Sequence, residues 1–165
     1  MTSAPTVEQV PMSTLLAGLG RDMTARVRRA IRPLGLGAQQ FLVLSQLEVF
    51  EQTSQAELAD ALGIDRSNLA VIVAELSHRG LVERTRDQAD RRRYVLRPTA
   101  AGERLLRRAD GEIAAAEADL LAPLDREQRE QFHALLRRVA DGVDLCPTAD
   151  PEACAGPAAR RRSRR

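Results

Sequence analysis

The chain has 165 residues, of which 44% are hydrophobic and 29% charged, and its formal net charge is +2 at pH 7. This length is typical of one domain that buries roughly two-thirds of its unfolded surface. The N-terminus lacks the pattern of a signal peptide, and no apolar run approaches the ~20 residues that cross a bilayer. We therefore expect a cytoplasmic protein with no membrane partner.

A long helix is the first predicted element, after a flexible N-terminus at residues 1–10. From Met12 onward, apolar residues recur at helical spacing until Pro33 and Gly35 end the segment. A second helix is predicted at residues 36–50. The apolar residues of the first helix are Leu15, Leu16, Leu19, Met23, Val27 and Ile31, and the inward residues of the second are Phe41, Leu44 and Leu47.

Two short helices around a tight turn are predicted in the middle of the chain. Ser54 and Glu57 have the spacing of a capping box, so a helix should begin at Gln55. Gly63 can adopt the left-handed conformation that ends it, and Asp65 then caps a second helix. The apolar face of that second helix consists of Leu69, Ile72, Val73 and Leu76. This pattern indicates a helix-turn-helix, whose second helix lies in a DNA major groove.

The solvent side of the second helix begins with Arg66, Ser67 and Asn68. In this geometry the N-terminal end of the helix meets base edges, so these donors are candidates for base contacts. An alternative for Ser67 and Asn68 is that they only satisfy amides of the first helical turn. The residues of the two helices predicted to bind DNA are Ser54, Gln55, Arg66, Ser67, Asn68, Ala70 and Val71.

A basic hairpin is predicted after these helices. Residues 81–86 and 92–96 are rich in residues that favour strands, and a polar turn separates them. Residues 79–97 contain seven arginines and three carboxylates, a local excess of 7 − 3 = +4 in a chain of net charge +2. Such a concentration of basic charge suits a nucleic-acid surface, and a guanidinium can enter a narrow minor groove. The alternative is a basic hairpin that is simply solvated.

At these residues the sequence resembles the MarR (multiple antibiotic resistance regulator) family of bacterial transcription factors. The matching positions are Leu58 with Ala59, Gly80-Leu81-Val82 with Arg84, Asp90-Arg91-Arg92, and Thr99 with Gly102. The resemblance implies a mainly α fold with a small two- to three-stranded β wing: a winged helix-turn-helix with long N- and C-terminal dimerisation helices.

The resemblance also implies roles for the wing. The family's Asp-x-Arg pattern makes Arg92 the minor-groove arginine, with Asp90 orienting it by an ion pair and Arg91 sharing the contact. The wing residues predicted to bind DNA are Arg84, Arg86, Asp90, Arg91, Arg92 and Arg93. One departure leaves the operator sequence open, because many relatives have a threonine and a basic residue where this chain has Ala70 and Val71. A methyl contact from Ala70 to thymine is compatible with this change.

Two amphipathic helices are predicted after the wing, the first capped by Thr99 and the second beginning at Asp125. Their apolar residues are Leu105, Leu106, Ala109, Ile113, Ala116, Leu120, Phe132, Leu135, Leu136, Val139 and Val143. Residues 11–144 would form one domain, with residues 36–98 as the DNA-binding lobe and residues 11–34 and 99–144 as dimerisation helices. A homodimer predicts a pseudo-palindromic operator with half-sites about 34–36 Å apart. A helical bundle within one chain is the alternative.

Residues 145–165 are predicted to be a disordered, arginine-rich tail, which either attracts phosphates without reading sequence or is simply solvated. The spacing of Cys146 and Cys154 does not match structural zinc. Peroxide sensors of the MarR family carry their cysteine near the start of the first helix, where this chain has none. A redox-responsive regulator is therefore only an alternative. His78 and His133 have no evident nucleophile, so we expect no enzyme, cofactor or metal.

Small, often aromatic or phenolic anions control many members of the family by binding a crevice between the dimer helices and the winged domain. The corresponding residues are Leu19, Met23, Arg26, Val27, Phe41 and Leu44, of which Arg26 is the anion partner. Ordinary core or interface packing is the alternative for each. The resulting hypothesis is a homodimeric, sequence-specific regulator that represses a nearby gene. A small ligand would release this repressor from its DNA. A winged-helix protein-interaction module and a non-specific DNA-binding protein are the alternatives.

Overall fold

The computed structural model describes residues 10–50, 53–86 and 94–143. In these residues it contains α-helices, one short 3₁₀ helix at Arg32–Leu34 and a two-stranded antiparallel sheet. The helices are α1 (Met12–Ile31), α2 (Ala38–Val49), α3 (Gln55–Leu62), α4 (Arg66–His78), α5 (Ala100–Leu120) and α6 (Arg126–Ala140), and the strands are β1 (Val82–Arg86) and β2 (Tyr94–Pro98). This architecture confirms the predicted fold class, mainly α with a small wing. No helix in the described part of the chain has the length and hydrophobicity to cross a membrane.

Local capping signals set the limits of the central helices. The Ser54 hydroxyl accepts a hydrogen bond from the Glu57 N–H at 3.3 Å, and the Glu57 carboxylate accepts one from the Ser54 N–H at 2.8 Å. Gly63 and Gly80 both have positive φ, 64° and 68°, and they follow the ends of α3 and α4. The predicted capping box and both glycine stops are therefore confirmed.

Two predicted boundaries differ from the structure. Helix α2 begins at Ala38 rather than Leu36, because the backbone of Gly37 is extended, with φ −81° and ψ 159°. Strand β2 continues beyond residue 96 to Pro98, which pairs with Val82 at the end of the ladder. A proline is tolerated there because the last position of a ladder needs no further donor. Thr53 adds an isolated bridge to Leu96, with a Leu96 N–H to Thr53 oxygen distance of 3.0 Å.

One apolar core lies beneath the helix-turn-helix and the sheet. Four buried residues of this core come from α4, and they are the ones predicted from the helical periodicity. Leu106 and Ala109, in the first half of α5, are also part of the core. The fully buried side chains also include Leu44, Leu47, Leu58, Leu62 and Leu96. Because one side of α4 is embedded in this core, its other side is held facing solvent.

The first turn of α5 is bonded to the chain that leaves α4. The Thr99 hydroxyl donates to the Gly80 carbonyl oxygen at 2.6 Å, and the Thr99 N–H donates to the Leu81 carbonyl oxygen at 3.0 Å. The same hydroxyl accepts from the Gly102 N–H at 3.1 Å. A Cβ atom on Gly102 would lie 2.2 Å from the Leu81 oxygen, so only glycine allows this approach. We call Gly80, Leu81, Thr99 and Gly102 the clasp.

Helix α1 packs along α5 and is joined to it by an ion pair. Arg26 donates from Nε to Asp22 and from Nη1 to Asp119, each at 2.7 Å. The hydrogen bond to Asp22, followed by that to Asp119, raises the pKa of Arg26 above its ordinary value. The two long helices that flank the lobe are therefore bonded to each other.

Two glycines of α5 should respond in opposite directions to substitution by alanine. Gly102→Ala should lower the free energy of unfolding by about 2 kcal/mol or more, because the new methyl group overlaps the Leu81 oxygen. Gly111→Ala should raise it by about 0.5–1 kcal/mol, because no atom lies within 4 Å of a Cβ there and alanine favours helix. Urea denaturation followed by helical circular dichroism measures both. Equal effects would contradict the close approach in the clasp.

Candidate nucleic-acid interface

Asp65 organises the first turn of α4. Its Oδ1 accepts hydrogen bonds from the backbone N–H of Ser67 at 2.9 Å and of Asn68 at 3.3 Å, and it also accepts from the Ser67 hydroxyl. The hydrogen bond from the Ser67 hydroxyl, followed by those from the backbone, lowers the pKa of Asp65 below its ordinary value. The carboxylate is therefore ionised at neutral pH, where it also complements the helix dipole.

This network separates the roles of Ser67 and Asn68, for which the sequence allows two interpretations. The Ser67 hydroxyl uses its proton to bond Asp65, so it faces a partner as an acceptor unless that bond breaks. The side-chain amide of Asn68 forms no hydrogen bond with any described residue, although its backbone N–H bonds Asp65. Asn68 therefore retains both the donor and the acceptor capacity of its amide.

The exposed face of α4 carries the predicted residues together. Arg66 through Asn68, Ala70 and Val71 are all exposed, and the Val71 side chain is 57% exposed. The Arg66 Nη2 lies 3.3 Å from an Asp60 oxygen, and both side chains are largely exposed, so this pair is weak and can be exchanged for another partner. Ser54 and Gln55 are half-buried at the start of α3, where Ser54 is engaged in the capping box.

The described part of the wing places two arginines against one aromatic ring. Arg84 and Arg86 are two positions apart on β1, and Tyr94 on β2 lies directly opposite Arg86. The guanidinium carbon of Arg84 is 4.2 Å from the centre of the Tyr94 ring, and that of Arg86 is 5.8 Å away. An exposed contact of this kind is worth about 0.5–1 kcal/mol. The ring therefore limits the positions of both cations.

Tyr94 was missed by the sequence analysis. Its signal was the hairpin register, because an aromatic residue beginning β2 must face the arginines that end β1. Asp90, Arg91, Arg92 and Arg93 lie outside the described residues, so their predicted roles stay predictions. The same holds for Cys146, Cys154 and the arginine-rich tail.

Comparison with known proteins shows which family this chain resembles. Residues 34–93 match the model of the MarR family. The HTH-type transcriptional repressor Rv2887 of Mycobacterium tuberculosis is 29% identical over 132 residues, which are 80% of this chain and 95% of the relative. The crystal structure of wild-type MarR from E. coli, in its apo form, superposes with a TM-score of 0.71 at 21% identity, covering 79% of this chain and 97% of MarR. Residues 34–93, which contain helices α2 to α4, are therefore similar to the MarR family.

Another solved MarR-family structure is similar in both sequence and fold. The crystal structure of Rv2887 in complex with DNA superposes with a TM-score of 0.69 at 27% identity, covering 80% of this chain and 99% of that chain. Each likeness covers about four-fifths of this chain, which is more than the winged lobe alone.

Three of the six predicted effector residues, Val27, Phe41 and Leu44, belong to the apolar core or pack against it. Leu44 is fully buried in the core, Arg26 is bonded to Asp22 and Asp119, and Leu19 is exposed on α1. None of the six lines either of two open clefts in the described chain, of about 570 and 550 Å³. The effector crevice therefore stays a prediction.

The second of these clefts lies where the clasp meets α5. Its lining combines three arginines with an apolar floor: Arg79, Arg104 and Arg108 with Leu34, Leu81 and Leu105. The first cleft lies beside α4, between the end of α1 and the start of α2. Among the described residues, no group of three or more His, Cys, Asp or Glu side chains is placed to hold a metal ion.

The lowered pKa of Asp65 predicts how its contribution to stability depends on pH. Because the folded-state pKa is below the unfolded value, the contribution is present above an unfolded pKa of about 3.9 and is lost as pH falls through the folded value. Asp65→Asn keeps a capping oxygen but no charge. The wild type should therefore unfold at higher urea concentration than Asp65→Asn at about pH 7, and this advantage should shrink below about pH 4.

Asp65→Ala is the companion variant, since it removes the oxygen that accepts the three hydrogen bonds. At neutral pH it should be the least stable of the three proteins. An advantage of the wild type over Asp65→Asn that stayed constant down to about pH 3 would show that the ionised carboxylate is not the stabilising species.

Proposed function

We propose that this protein is a homodimeric transcriptional regulator, a repressor that binds a pseudo-palindromic operator in double-stranded DNA. The observation that carries the proposal is the two-sided character of α4. Four of its residues are buried in the core, while its exposed side presents Arg66, Asn68 and Val71 to solvent. The description of Rv2887 as a transcriptional repressor, and its structure in complex with DNA, support the same function here.

In this proposal the exposed side of α4 reads bases in the major groove. Arg66 offers a forked donor once it leaves Asp60, and the free amide of Asn68 matches the donor and acceptor of adenine. Ala70 and Val71 offer methyl groups to thymine rather than hydrogen bonds. Reading of the operator sequence would therefore depend on a few polar contacts and on the shape of the DNA. Ser54 and Gln55 at the start of α3 are suited to phosphate contacts.

The wing supplies the second set of contacts. Arg92 enters the minor groove, oriented by Asp90 and flanked by Arg91 and Arg93, as the MarR pattern implies. Arg84 and Arg86 serve as phosphate contacts whose guanidiniums the Tyr94 ring restrains. Restraint before binding favours affinity, because less side-chain freedom is lost when the complex forms.

The outer helices supply the dimer interface. Helix α6 has no buried residue in the described structure, although its apolar residues form one continuous stripe. The exposed large apolar side chains on α1, on α6 and just after α6 are Met12, Leu15, Leu16, Leu19, Leu135, Leu136, Val139 and Val143. A stripe of this size is expected to be covered by a second subunit. The described chain leaves it uncovered, and this favours a dimer over a bundle within one chain.

Release by a small aromatic or phenolic ligand is the remaining part of the proposal. A ligand releases DNA only if it binds one spacing of the recognition helices better than another. At the predicted crevice, its anionic group would have to compete with Asp22 and Asp119 for Arg26. Effector affinity at this site should therefore be modest unless that ion pair opens.

A gel-shift titration against DNA from the protein's own upstream region tests the regulator function. The wild type should form a discrete complex that resists unrelated competitor, since specific binding usually exceeds non-specific binding by at least ~10³. Arg92→Ala should weaken operator binding by about 2 kcal/mol, the scale of one good groove contact. Arg107→Ala on α5 removes the same charge outside the interface and is the matched control.

Two results would overturn this proposal. A smeared band in the gel shift, which unrelated DNA competes away as well as operator DNA does, would favour a non-specific DNA-binding protein. No binding to either DNA, together with capture of an acidic protein by the basic wing, would favour the interaction module. An Arg92→Ala variant with wild-type operator affinity would refute the role of that residue alone.

The dimer is tested by light scattering coupled to size exclusion. The wild type should elute with the mass of two chains at micromolar concentration, and Leu136→Glu should shift the mass toward one chain because it buries a charge in the interface. Ala134→Glu introduces the same residue on the opposite side of α6 and should leave the dimer intact. A wild-type monomer, or dissociation by both variants, would count against the assigned face.

A further inference from the structure

A basic cleft lies beside α4 and contains no residue of the wing. It has a volume of about 570 Å³ and lies between the end of α1, the start of α2 and the exposed side of α4. Its charged and polar lining consists of Arg28, Arg32, Gln39, Gln40, Asn68 and Glu75. We call it the Arg28–Arg32 cleft.

The two arginines of this cleft have no anionic partner among the described residues. Arg28 lies in the last turn of α1 and Arg32 begins the 3₁₀ helix that follows it, so the two are four residues apart and lie on one face. Neither guanidinium forms an ion pair or hydrogen bond with any described residue. By contrast, Arg26 on the same helix bonds two carboxylates. The one carboxylate in the cleft, Glu75, accepts from Gln40 Nε2 at 2.7 Å and pairs with neither arginine.

The cleft is continuous with the face of α4 that is proposed to read DNA. Asn68 and Val71 belong both to its lining and to the predicted reading set. An α-helix about 10–12 Å across fills a major groove about 12 Å wide, so a phosphate backbone must pass on each side of α4. The residues beside α4 are therefore placed to meet a strand of the duplex.

We propose that the Arg28–Arg32 cleft is a phosphate-binding site for the operator backbone. This inference rests on the proposed function, and it adds a contact surface on α1, a helix otherwise assigned to dimerisation. Two guanidiniums without carboxylate partners raise the local attraction for phosphate oxygens, to which they can bond through paired donors. Contacts of this kind fix the position of α4 in the groove and carry no sequence information.

The salt dependence of DNA binding tests the site. The double variant Arg28→Gln/Arg32→Gln is compared with Arg21→Gln/Arg29→Gln, which removes the same charge from exposed positions of α1 that do not line the cleft. Fluorescence anisotropy gives Kd on operator and on unrelated DNA between about 0.05 and 0.2 M salt. In the cleft variant, the plot of log K against log salt should become shallower by about 0.9 for each phosphate that the protein no longer neutralises, and by twice that in a dimer.

The cleft variant should also weaken binding to operator and unrelated DNA by similar factors, while the control variant keeps the wild-type slope. Arg28→Lys/Arg32→Lys keeps the charge and should restore most of the slope. A slope equal to that of the wild type, or an equal change in both double variants, would refute the site. A loss of affinity for operator DNA alone would also refute the site, because that result indicates base readout.

These results are separable from a failure of the proposed function. If the wild type shows no preference for its operator, the regulator proposal fails, but the slope on unrelated DNA still decides whether the cleft contacts phosphate. Thermal unfolding of each variant checks that the fold is retained, which we expect because both arginines are exposed.

Discussion

The relation between the outer helices and the winged lobe depends on the clasp. Three hydrogen bonds of Thr99 and the missing side chain of Gly102 hold the first turn of α5 against the chain that leaves α4. Helix α5 is bonded in turn to α1 through Arg26 and Asp119. Helix α1 is therefore connected to the end of α4 through short, directional contacts.

Helix α4 has two sides with different roles, one in the core and one facing solvent. Its buried side fixes the orientation of the helix, while Asp65 fixes the backbone of its first turn. This arrangement uses the Ser67 hydroxyl, which leaves Arg66 and Asn68 as the principal donors. Since Ala70 and Val71 add only apolar contacts, recognition in the proposed complex depends more on correct placement of the helix than on many base-specific bonds. Contacts to the DNA backbone then matter for specificity indirectly.

The sequence was sufficient for features that depend on nearby residues. Several helix limits depend on partners only a few positions away, so the residue types alone predicted them. These limits are the capping box at Ser54, the stops at Gly63 and Gly80 and the cap at Thr99. Contacts between distant segments were not predictable. Arg26 and Asp119 are 93 positions apart, and the Arg28–Arg32 cleft requires the end of α1 to lie near α4. The contact of Tyr94 with the arginines, by contrast, could have been found once the strand register was considered.

In the proposed dimer, the uncovered stripe of α6 would link folding to protein concentration. A 15-residue helix is marginal in water by itself, and this one buries no residue against the described chain. In the proposed dimer its helical structure would be maintained by the partner, so dilution would melt α6 and expose it to proteases before the winged lobe unfolds. The number of copies in the cell would then act as a control on DNA binding, without any ligand.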